Sequence, residues 1–164
     1  MTSFETLDNL ADRLIDEEIQ GYDLPYYIEP LLEEGDTLSL LKDYLSDAIT
    51  HKNADRIECG LILAGELGYD KPLLSLYEPL LLDDWHHSHE DIVYAIATFG
   101  NISNVPTLQK AFNLSLPYME YDHHYSFHRK MLYGIQKLAP KLFPIIYKQV
   151  KSKLCVALQK ESFK

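Results

Sequence analysis

Nine residues, Asp83 to Asp91, hold three of the chain's seven histidines, its single tryptophan and four carboxylates. Imidazoles and carboxylates at this density could bind a metal or move protons. His86, His89, Asp84 and Glu90 are ligand types, and His124 and His128, four residues apart, share a helical face. The spacing matches no established metal motif such as His-Glu-x-x-His. The chain has no glycine-rich phosphate loop and no nucleophile elbow, and neither Cys59 nor Cys155 has a histidine beside it in sequence. The expectation is therefore no catalytic residue, no metal and no cofactor. A metal-dependent or acid–base enzyme built on the histidines is the lesser alternative. Ser88 and Asp91 have capping-box spacing, with Asp in place of the usual Glu or Gln. Trp85 is expected to anchor neighbouring helices.

The elements around this stretch read as helical throughout. Phe4, Leu7, Leu10, Ala11, Leu14 and Ile15 form one apolar stripe, predicting a helix over 3–20, capped by Ser3 and ended by Gly21. Asp23-Leu24-Pro25 starts a short helix that Pro30 breaks early. Gly35 ends that segment, and Asp36 caps a helix through Ile49. From residue 53 the pattern repeats, with helices over 54–67, 71–82, one ending at Phe99, 105–114, one ending at Leu138, 140–150 and 154–163. Aligning the ends Leu67-Gly68, Phe99-Gly100 and Leu138-Ala139 brings Leu61, Val93 and Leu132 into one place, and Ile62, Tyr94 and Tyr133 into the next. The fold expected is all-α, a single domain over 1–164 of about ten helices arranged as an α-solenoid of HEAT-like hairpins. It comprises divergent N-terminal helices (1–52), three hairpin repeats (53–151) and a C-terminal helix (152–164). In this register Tyr94 and Tyr133 are expected to face the core. The places of Glu90 and Asp91 are taken in the next unit by Arg129 and Lys130, predicting an ion ladder between repeats.

Charge is segregated. Residues 1–50 carry thirteen acids and two bases, 51–100 nine and three, and 101–164 three and ten. An acidic surface repels nucleic acid and speeds association with basic proteins. The basic C-terminal residues lack the interleaved aromatics of a nucleic-acid face. No apolar run approaches the roughly 18 residues of a membrane span, and the first residues do not read as a secretory signal. Two well-separated cysteines in apolar helical patterns suggest small buried residues in a cytoplasmic protein. Twelve tyrosines are a separate signal, because tyrosine is enriched where proteins meet.

The strings Asp84-Trp85-His86-His87-Ser88-His89-Glu90-Asp91-Ile92 and Tyr118-Met119-Glu120-Tyr121-Asp122, followed by Arg129-Lys130, carry a resemblance. They resemble small HEAT-repeat proteins of bacterial toxin–immunity loci, including those of contact-dependent growth inhibition, over about residues 54–150. The chain departs from that pattern at His128, Met131 and Ala139. The resemblance implies an immunity protein, not an enzyme, that neutralises a cognate toxin domain, a basic nuclease, by stoichiometric binding. Asp83, Asp84, His86, His87, Glu90, Tyr26, Tyr27, Glu33, Glu34 and Tyr118 are the candidate contacts. Glu90, Asp91, Arg129 and Lys130 form the structural ladder. A HEAT-type adaptor or scaffold is the alternative.

Overall fold

The computed structural model describes residues 2–32, 35–119 and 126–154. Among these it is all-helical, with nine α-helices and short 3-10 turns and no strand. The helices are α1 (Ser3–Ile15), α2 (Leu24–Ile28), α3 (Thr37–His51), α4 (Ala54–Leu67), α5 (Asp70–Leu80), α6 (His89–Phe99), α7 (Val105–Ala111), α8 (Ser126–Leu138) and α9 (Phe143–Val150). Glu33, Glu34, His124, Cys155 and the expected helix over 154–163 lie outside the described residues, save Leu154. No described helix is long and apolar enough to cross a membrane. The chain divides into two compact units, Met1–Leu76 and Tyr77–Lys164, with α5 running through the division.

In the first unit α4 packs on α1 and α3. Thr2, one residue ahead of the expected Ser3, caps α1: its hydroxyl accepts the Glu5 N–H while the Glu5 carboxylate accepts the Thr2 N–H. Asp36 caps α3 and Asn53 caps α4 through side-chain oxygens. The expected end of α1 at Gly21 is corrected. The helix stops at Ile15, and Glu17 adopts the left-handed conformation at φ 58°. The Glu18 N–H then donates to the Arg13 carbonyl and the Glu17 N–H to the Leu14 carbonyl, which is a Schellman end. Lys52 and Gly68 occupy the same place after α3 and α4, at φ 50° and 74°. Gly60 lets α4 lie close on α3, since a Cβ there would stand 2.5 Å from Leu45.

In the second unit α6 and α8 form the most extensive helix contact, and α7 packs on α8. Ile92, Val93 and Ile96 of α6 and Met131, Leu132 and Ile135 of α8 are fully buried. The two helices run parallel, because Glu90 meets Lys130 near their N-terminal ends and Ala97 meets Gly134 further along. A Cβ on Gly134 would lie 3.0 Å from the Ala97 Cβ, so small residues permit the close approach. Gly100 ends α6 with ordinary negative φ. Its role is steric: a Cβ there would stand 2.4 Å from the Ile96 carbonyl oxygen and 2.6 Å from Asn104 Oδ1.

Candidate functional site

The polar stretch between α5 and α6 folds around two buried imidazoles. His86 and His89 have no exposed surface, and their rings stack with centroids 4.2 Å apart and planes at 15°. The Ser88 N–H donates to His86 Nδ1 at 3.1 Å, so the proton sits on Nε2, which donates to the Leu80 carbonyl at 2.8 Å. That carbonyl belongs to the last residue of α5 and also accepts the Asp83 N–H at 3.1 Å. His89 Nε2–H donates to the Asp83 carbonyl at 2.7 Å, leaving Nδ1 to accept the Tyr118 hydroxyl at 2.7 Å. Burial lowers the pKa of both rings, that of His89 to about 4. The neighbouring His86 adds to the effect on His89. Burial also raises the Tyr118 hydroxyl, which keeps it a donor.

Each ring nitrogen is therefore committed, and neither ring has a lone pair to offer a metal or a substrate proton. No three His, Cys, Asp or Glu side chains converge as a metal site among the described residues. These two histidines brace a loop. His86 is corrected as a candidate contact, because a residue with no exposed surface cannot meet a partner. Ser88 is likewise corrected as a side-chain cap. It occupies the N-cap position without a side-chain hydrogen bond, and its main-chain N–H serves His86 instead. Trp85 is half-buried and packs edge-on against His86 at 5.2 Å.

Several of the candidate residues lie on or beside the N-terminal end of α6. Asp84, His87 and Asp91 are exposed. The His87 ring lies 4.6 Å from the ring of Tyr118. His87, Glu90, Asp91, Tyr118, Met119 and Lys130 line an open cleft of about 360 Å³. Lys130 Nζ pairs with Glu90 Oε2 at 2.7 Å. The repeat register matches Glu90 with Arg129 and Asp91 with Lys130, so the observed pair is offset by one residue. Asp83 is half-buried and contributes its main-chain carbonyl to His89.

Tyr94 and Tyr133, expected in the core, are 61% and 50% exposed. Tyr94 stands one turn beyond Glu90 on α6, and Tyr133 stands three residues beyond Lys130 on α8, so both continue the face that the ion pair begins. The exposed face of the unit is thus aromatic and charged along both helices.

In the first unit Tyr26 is exposed and meets the half-buried Tyr27 edge-on, and the Arg13 guanidinium lies 4.8 Å over the Tyr27 ring. The same unit holds a network the sequence did not reveal. Arg56 donates through Nε and Nη2 to Asp8 Oδ2 at 3.2 and 3.1 Å, and through Nη1 to Asp47 Oδ2 at 3.1 Å. The hydroxyl of the fully buried Tyr44 donates to the other Asp8 oxygen. Burial, with that hydrogen bond, raises the Tyr44 pKa and holds the hydroxyl as a donor. Burial also pushes the thiol of half-buried Cys59 up to about 11, so at neutral pH it is not the reactive thiolate. The available signal was an arginine beside an apolar stripe in a strongly acidic segment. Its main partner is 48 residues away.

No family model, curated protein or solved structure matches the chain.

Proposed function

We propose that this protein binds a basic protein domain stoichiometrically and blocks it, acting as an immunity protein toward a toxin domain, and that the outer face of α6 and α8 is a principal contact surface. The observation that carries the reading is the exposure of Tyr94 and Tyr133 on adjacent parallel helices, beside Glu90, Asp91 and His87. Large amphipathic rings of this kind, held on rigid helices, anchor protein interfaces at low entropic cost. Twenty-two acids against five bases in the first 100 residues favour a basic partner and rapid association. The commitment of both buried histidines to main-chain carbonyls favours binding over chemistry. Parallel packing of α6 and α8, which are separated by α7 in the chain, is a relation that stacking into a solenoid requires.

The test is co-purification with a toxin domain encoded by an adjacent gene, if the locus carries one, followed by titration of the purified pair. A one-to-one complex that abolishes the toxin's activity supports the reading. Its loss in Tyr94→Ala/Tyr133→Ala, with the fold intact, assigns the face. A toxin domain that neither binds nor loses activity overturns the reading.

A further inference from the structure

The C-terminal ends of α1 and α4 bound an open cleft of about 540 Å³ in the first unit. Leu14, Ile15, Ile19 and Ile62 supply its apolar lining, and Glu17 and Glu66 supply two carboxylates. Ile15 is 55% exposed, an aliphatic side chain left in water on this wall. Both helices present their negative dipole ends here, which favours a cation. Gly21 shapes the acidic side: a Cβ at that position would fall 1.8 Å from Glu66 Oε2, so the carboxylate lies directly against the loop backbone.

We infer that this cleft docks a lysine- or arginine-bearing amphipathic segment of the partner, an inference that rests on the reading of the partner as a basic protein. The aliphatic residues would cover the segment's apolar side, as in helix-in-groove recognition. Long basic stems pack along apolar surface while their charged heads reach the rim. At the rim Glu17, Glu66 and the two helix ends all present negative charge, so charge complementarity selects a basic segment over an acidic one.

Glu17 makes a clean test possible. It occupies a left-handed position at φ 58°, where glycine is the preferred residue. Glu17→Gly therefore removes a carboxylate while relaxing the backbone. The probe is a fluorescent amphipathic peptide of leucine, alanine and lysine, compared with the same peptide carrying glutamate in place of lysine. The lysine peptide is expected to bind the wild-type chain, more weakly as salt rises. It should bind Glu17→Gly/Glu66→Gln about tenfold more weakly, while the variant melts no lower than wild type. Absence of binding, equal binding of the glutamate peptide, or unchanged affinity in the variant overturns the inference. A toxin domain that still binds and is blocked by this variant at full affinity removes the cleft and leaves the α6–α8 face standing.

Discussion

His86 and His89 stack ring on ring and each donates its Nε2–H to a main-chain carbonyl, Leu80 for one and Asp83 for the other. The pair is built for the neutral form. Protonating either ring would place a buried cation 4.2 Å from its neighbour, and protonating His89 would turn the acceptor facing Tyr118 into a donor.

Stability should therefore fall in acid. The folded pKa of His89 is lowered from 6.5 to about 4, so the unfolded chain binds the extra proton first. Stability from this group is present above pH 6.5 and is lost as pH falls towards 4. The size is roughly 3 kcal/mol for His89, with His86 acting in the same direction. Urea melts across this window should show the loss, and His89→Gln should flatten the dependence. A wild-type midpoint that does not move with pH would contradict this account.

Arg56 bridges two carboxylates and leaves neither replaceable alone. Arg56→Ala should cost about 2–3 kcal/mol, because it removes the cation that Asp8 and Asp47 share in a partly buried setting. Arg56→Lys should recover less than half, since an ammonium cannot serve Asp8 and Asp47 with a planar fork. Equilibrium denaturation of the two variants tests the ranking, and equal stability of Lys and Arg at this position would show that charge alone suffices.

The Glu90–Lys130 pair is about one-third exposed on each side. Its coupling should be about 0.5–1 kcal/mol in a double-mutant cycle, as for other partly solvated pairs. The same cycle on Asp91 and Lys130 should give a coupling near zero. The reverse order would restore the pairing expected from the repeat alignment.

Gly134 sets the distance between α6 and α8. Replacing it with Val should cost about 1–3 kcal/mol by forcing side-chain atoms against Ala97 and Leu108. Thermal melts measure this directly, and a Gly134→Val protein as stable as wild type would mean that the two helices can separate freely.

Helix limits were legible where punctuation was chemical. Asn53 and Gly68 bracket α4, Gly100 ends α6, and Asp36 starts α3, each as residue type predicts. The end of α1 was not legible, because Glu17 rather than a glycine takes the left-handed turn. Aligning the helix ends placed Val93 with Leu132 and Tyr94 with Tyr133 without showing which way those positions point. Successive helical residues turn by about 100°, so Val93 and Leu132 are buried while their neighbours Tyr94 and Tyr133 are exposed. The histidines misled for a tertiary reason. Their abundance suggested a surface site, but His86 and His89 fold inward to meet carbonyls that the sequence does not mark as needing partners.

The central claim is that the outer face of α6 and α8 holds a basic protein partner. Calorimetric titration of the proposed partner, a basic toxin domain, into wild-type protein and into Tyr94→Ala/Tyr133→Ala tests it most directly. A one-to-one complex, weakened at least about 100-fold by the double substitution at unchanged melting temperature, is the predicted result. A complex of equal affinity in both proteins would contradict it.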